Sequence, residues 1–151
     1  MRIRPMKRAD IPAVAALTSS HDGRSVTSVR RALELQLESD SIRVWVAAHE
    51  RVVAYARVAN RPVRRGWPAG WYFAGLVVAP RWRRKHLGTR LTRVRMRWLR
   101  GRTRRAHIVV NARNEASKRL HAKLGFTFVR ALRSQFFRGG RGELWVVRFS
   151  T

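Results

Sequence analysis

Between Val78 and Thr89 the chain reads Val-Ala-Pro-Arg-Trp-Arg-Arg-Lys-His-Leu-Gly-Thr, so an apolar stretch gives way to a basic loop that opens directly into a helix. The chemistry suited to that arrangement is anion binding. Amides in the first turn of a helix lack intrahelical partners and lie at the positive end of the helix dipole, where a pyrophosphate finds several donors at once. The run Arg83, Arg84, Lys85, His86, Leu87, Gly88, Thr89 and Arg90 is the candidate phosphate holder. Gly88 would let a phosphate come close to the backbone.

Groups that could move a proton are few. Of the eight acids, Asp10 and Glu115 read as helix-start residues, Asp40 and Glu143 as element boundaries and Glu50 as a hairpin tip, which leaves Asp22, Glu34 and Glu38. His21, His49 and His107 show no metal-ligand spacing with one another or with acids, and no metal is expected. The absence of Cys excludes disulfides, thiolate metal sites and Cys nucleophiles together.

The elements that must position these residues follow from periodicity and turn chemistry. Ile3 starts a strand, and Asp10 stands at an N-cap position ahead of Ile11, Val14, Ala15 and Leu17. Val29, Leu33 and Leu37 mark a second helix ending near Asp40. Ile42 to Ala48 and Val52 to Ala59 read as a hairpin, and Trp71 to Ala79 as a strand buried on both faces. From Leu87, the residues Leu91, Val94 and Trp98 form one helical face, while Arg90, Arg93, Arg97 and Arg100 form another. Ala106 to Ala112 is a strand, Glu115 to Leu124 a helix capped by Asn114 and closed by Gly125, and Phe126 to Leu132 and Leu144 to Phe149 are strands. Neither a repeat nor an internal domain boundary is visible, and 151 residues suit one compact domain, 1–151. The order of elements makes an α/β (α+β) fold with helices on a mixed sheet.

The loop resembles the GNAT superfamily of N-acetyltransferases, whose pyrophosphate pattern is Arg or Gln, two residues, Gly, one residue, then Gly or Ala. Arg83 and Gly88 match, and His86 stands where Gly is usual. Asn114, Leu120, Gly125 and Phe126 are similar to a second GNAT segment, with His121 in place of the usual Tyr. The resemblance covers the whole chain. It implies a mostly antiparallel central sheet flanked by about four helices, and acetyl transfer from acetyl-CoA to a primary amine in a ternary complex. It implies that backbone groups of Leu76, Val77 and Val78 pair with the pantetheine arm, with Asn114 and Ser117 also on the cofactor's side. By the same resemblance His121 is the candidate general acid toward the CoA sulfur. Glu34 is the candidate base, since in this fold the first two helices wall the acceptor site, and a water chain or a carbonyl of the fifth strand is the alternative.

Composition widens the choice of acceptor. The formal charge is +26, and twelve of the 25 residues from Arg81 to Arg105 are Arg or Lys with no acid among them. CoA phosphates occupy only the first few. Either Arg93, Arg97 and Arg100 track a polyanion such as tRNA or ribosomal RNA, or Arg fills solvated positions through a composition bias. A small-molecule amine, an amine on RNA and an amine on a ribosome-associated protein or peptide are the acceptor classes. A nucleic-acid-binding module that keeps the fold without turnover is the alternative. The N-terminal stretch lacks the apolar run of a signal peptide and no segment reaches membrane-span length, so a cytoplasmic protein is expected, with a homodimer possible.

Overall fold

The computed structural model describes residues 1–134, 137 and 139–150. Its elements are β1 (Arg2–Pro5), α1 (Ile11–Asp22), α2 (Val26–Glu38), β2 (Ile42–His49), β3 (Arg51–Arg61), β4 (Gly70–Val78), α3 (Leu87–Arg100), β5 (Arg105–Asn111), α4 (Glu115–Lys123), β6 (Thr127–Arg133) and β7 (Arg141–Arg148). The strands form one mixed sheet in the order β1-β2-β3-β4-β5-β7-β6. The pairs β1/β2, β2/β3, β5/β7 and β6/β7 are antiparallel, whereas β4 and β5 run parallel, Tyr72 opposite His107 and Phe73 opposite Ile108. This is the expected mixed sheet with four helices. The last strand starts earlier than its apolar run, at Arg141, because Gly142 pairs with Asn111 and Arg141 with Arg133, so the ladder outlasts the hydrophobic pattern.

The chain divides into two compact units, Met1–Ala59 with Ala74–Arg95, and Asn60–Phe73 with Met96–Thr151. In the first, one face of α1 and α2 supplies Ile11, Val14, Ala15, Val29 and Leu33 to a core shared with Val44, Val46, Tyr55 and Val77. The α2 cap is Ser25, whose hydroxyl accepts from the Ser28 amide at 3.1 Å. In the second, Phe73 meets Phe126 edge to face at 5.2 Å, and Tyr72, Leu99, Ala106, Leu144 and Val146 are buried.

Asp10 departs from its expected role. Its backbone is helical (φ −82, ψ −17) and its carboxylate makes no cap bond to α1. Instead it turns back, accepting from both Arg4 terminal nitrogens at 2.6 and 2.9 Å and from the Lys7 amide at 2.8 Å. The hydrogen bond from Arg4 outweighs burial and, with the Lys7 amide, holds the carboxyl below its ordinary value. Asp10→Asn is expected to cost about 2 kcal/mol at neutral pH, since bonds to charged groups are worth roughly twice neutral ones. Because the folded pKa is the depressed one, this stabilisation is complete above about pH 4, the unfolded aspartate value, and disappears as pH falls through the folded value. Denaturant titrations of parent and variant should therefore converge in acid.

Candidate functional site

In the first unit, β4 ends where the Ala79 amide donates to Val53 O at 2.8 Å, and a single 3-10 turn, Pro80–Trp82, leads into the basic loop. Two loop residues with side chains have left-handed backbones, Arg84 (φ 60) and His86 (φ 64). His86 thus adopts at its position a conformation that glycine reaches freely, at a cost of about 1 kcal/mol or more for an L-residue. The first intrahelical bond of α3 runs from the Arg90 amide to His86 O at 3.0 Å. The amides of Leu87, Gly88 and Thr89 precede it, which is the donor set a phosphate requires. Leu87 is buried and fastens the turn, while Arg83, Arg84, Lys85, His86 and Arg90 are exposed. Arg83 Nε donates to Val78 O at 3.1 Å, and the Lys85 ammonium lies 5.3 Å from the Trp82 ring centre.

Two glycines here have opposite constraints. A Cβ on Gly88 would meet only Leu76 Cδ2, at 3.6 Å, an ordinary contact, so the protein interior does not require glycine there. Gly75 has φ +65 and its Cβ would stand 3.0 Å from Arg57 Nε. That left-handed residue interrupts the pleat of β4. Gly75 and Leu76 are both exposed while Val77 is buried, so β4 is not covered on both faces as its apolar run suggests.

In the second unit, Asn114 caps α4 as expected, its side chain accepting from the Ser117 amide at 3.0 Å. His121 is 5% exposed and packs edge to face on Phe126 at 5.0 Å. Its Nδ1 lies 2.7 Å from Ser117 O and 3.3 Å from Ser117 Oγ. A carbonyl only accepts, so Nδ1 carries hydrogen, and in the neutral ring Nε2 is an acceptor. The single N–H that a neutral imidazole can donate is therefore directed at Ser117, and proton donation from Nε2 requires the imidazolium.

Among the three acids left as bases, Asp22 accepts from the Arg24 amide and Nε at 3.0 and 2.9 Å, and Glu38 from Arg8 at 3.0 Å. Glu34 is exposed on α2 with no ion pair among the described residues. Among the described residues no cluster of three or more potential metal ligands occurs, and no helix is long and apolar enough to cross a membrane.

Arg93, Arg97 and Arg100 are exposed on α3, as the periodicity predicts. Arg95, on the same helix, lies on its buried face. It is 2% exposed and donates to Leu91 O at 3.3 Å, Thr92 Oγ1 at 3.0 Å and Arg57 O at 3.1 Å, and burial lowers its guanidinium to about 9, still protonated at neutral pH. Its spacing of four from both Leu91 and Leu99 is the signal that puts it on the apolar face.

The family model of the acetyltransferase (GNAT) family matches residues 14–126. The ribosomal-protein-alanine N-acetyltransferase of Brucella melitensis is similar in fold, with a TM-score of 0.82 and 22% identity over 99% of this chain and 100% of that one. The ribosomal-protein-S18-alanine N-acetyltransferase of Escherichia coli gives 0.77 and 18% over 99% and 94%. A variant of the spermidine N-acetyltransferase of Vibrio cholerae gives 0.78 and 12% over 98% and 95%. At these identities the likeness is one of fold. Among curated proteins none matches the sequence.

Proposed function

The chain belongs to the acetyltransferase (GNAT) family, and from that premise we propose that it transfers an acetyl group from acetyl-CoA to a primary amine. The observation that carries the reading is the start of α3, where the left-handed His86 precedes three amides not yet engaged in the helix and, among the described residues, only Leu76 comes within 4 Å of where a Cβ on Gly88 would stand. The amides of Leu87, Gly88 and Thr89, with Arg83, Arg84, Lys85 and Arg90, would hold the pyrophosphate, and backbone groups of Leu76 to Val78 the pantetheine arm. Asn114 and Ser117 are assigned to the same cofactor through the family resemblance. Acetyl-CoA supplies an acetyl group activated as a thioester.

The chain's own residues have three tasks. The acceptor must be a neutral amine, and the +26 charge disfavours ammonium near the protein, a larger help for a lysine-type amine near pKa 10.4 than for an α-amine near 8. Glu34, the acid of α1 and α2 without an ion pair among the described residues, is proposed to take the remaining proton. His121, which must be imidazolium to donate from Nε2, is proposed to give its proton to the departing sulfur, against the same positive field. The same field repels polycations, so an amine on an anionic carrier, or a neutral small molecule, suits this chain better than a polyamine such as the one named for the Vibrio protein.

Release of CoA thiol across small amines, peptides with N-terminal alanine and aminoacyl-tRNA tests the proposal. Turnover with one class is the expected result; no turnover and no thermal stabilisation by acetyl-CoA, with tight salt-dependent RNA binding, would establish the non-catalytic alternative. For α3, Arg97→Glu with Arg100→Glu should leave acetyl-CoA affinity within a few fold and flatten the salt dependence of RNA binding. Unchanged RNA affinity would assign those arginines to solvation.

A further inference from the structure

The second unit contains a cavity of about 570 Å³, remote in sequence from the α3 loop, lined by Arg64, Arg65 and Trp67 on one wall and Arg133 and Arg141 on the other. One wall is a tight turn, closed by Arg64 N to Trp67 O at 3.0 Å and Trp67 N to Arg64 O at 2.8 Å. This turn is anchored from both sides: the Arg130 guanidinium donates to Gly66 O, and the Tyr72 hydroxyl donates to Pro68 O at 2.6 Å. The opposite wall is the end of the β6–β7 ladder, where Arg133 stands directly across from Arg141.

Like charges facing each other across a ladder destabilise it, and here two more guanidiniums converge on the same space. The unit's two acids are engaged elsewhere, since Glu115 and Glu143 both pair with Lys118, at 3.0 and 3.3 Å. Among the described residues no carboxylate forms an ion pair with any of the four. An anion from outside the chain would relieve that repulsion. Guanidinium forks match phosphate bidentately, and the half-buried Trp67, tilted on Tyr72 at 5.8 Å, adds an aromatic surface beside them. Phosphate-binding cations around an aromatic platform are the arrangement that holds single-stranded nucleic acid. An acidic peptide would meet the charge but offers no base to stack on the indole. The volume lies in the range for one small ligand, so it suits a nucleotide or two rather than a duplex.

We propose that this cavity binds single-stranded RNA, Trp67 stacking on a base while Arg64, Arg65, Arg133 and Arg141 hold the adjoining phosphates. The proposal concerns the second unit alone and holds whether or not the chain transfers acetyl groups. It is tested by fluorescence anisotropy with a labelled eight-nucleotide oligoadenylate over a series of salt concentrations. Arg64→Glu with Arg141→Glu should weaken binding tenfold or more and flatten the salt slope. Arg2→Glu with Arg51→Glu makes the same change in net charge at exposed positions of the first unit and should cost no more than about threefold. Trp67→Leu should weaken binding about tenfold with the slope unchanged, since stacking is worth roughly 1–3 kcal/mol per base, and Trp67→Phe should restore most of it. Equal losses in the two double variants would overturn the proposal. So would displacement of the RNA by poly-glutamate with no dependence on Trp67, which would make the cavity a site for acidic polypeptide. Should Trp67→Leu fail to fold, the comparison of the exposed double variants decides.

Discussion

Replacing His121 with Phe is expected to lower kcat about 10²-fold, the low end for general acid catalysis, with little change in KM for acetyl-CoA. The proton is needed only as the C–S bond breaks, so its loss belongs to the transition state and not to binding. Phe retains the edge-to-face contact with Phe126 and the buried volume, so folding is spared. The tautomer gives a second signature. Since the neutral ring directs its N–H from Nδ1 to Ser117 O, only the imidazolium can donate from Nε2, and kcat should fall with rising pH through one ionisation. His121→Tyr should keep much of the activity and lose that limb, a phenol remaining protonated to about pH 10. If His121→Phe turns over at the parent rate with chemistry rate-limiting, the thiolate departs unaided and the residue is structural. A parent kcat that rises with pH through the same ionisation would make Nε2 a base.

Gly88→Val should weaken acetyl-CoA binding tenfold or more, about 1.4 kcal/mol, measured by calorimetry. Gly88→Ala should at the same time stabilise the apoprotein by about 0.5–1 kcal/mol, because glycine within a helix carries a backbone entropy cost and the new methyl meets only Leu76 at an ordinary distance. Weaker binding in the valine variant together with a more stable alanine variant is the mark of a position kept small for a ligand. Unchanged affinity in a folded Gly88→Val protein would remove the pyrophosphate assignment.

The elements were legible where the apolar period was strong. The start of α3 at Leu87 and the Asn114 cap of α4 follow from spacing and side-chain chemistry, and both are found. What failed to show in the residue types was the third dimension. Asp10 precedes a helix, but only the fold brings Arg4 beside it and turns the carboxylate away from the helix amides. Gly75 breaks β4 in the middle of an apolar run, where composition alone suggests continuity. Arg95 was readable from its spacing, yet its charge argued for the solvated face. The cavity joins a turn near residue 65 to a hairpin end near residue 140, and neither segment has a periodicity that announces the other.

The contrast between Gly75 and Gly88 bears on how such a chain can drift. At position 75 any side chain carries a folding cost in every descendant, since Arg57 must give way to it and the backbone there is left-handed. Position 88 is closed to side chains larger than alanine only while selection maintains cofactor binding. In a lineage that ceased to use acetyl-CoA, a larger residue could settle there, so a bulky side chain at 88 above an intact Gly75 would mark a relative that kept the scaffold and gave up the reaction.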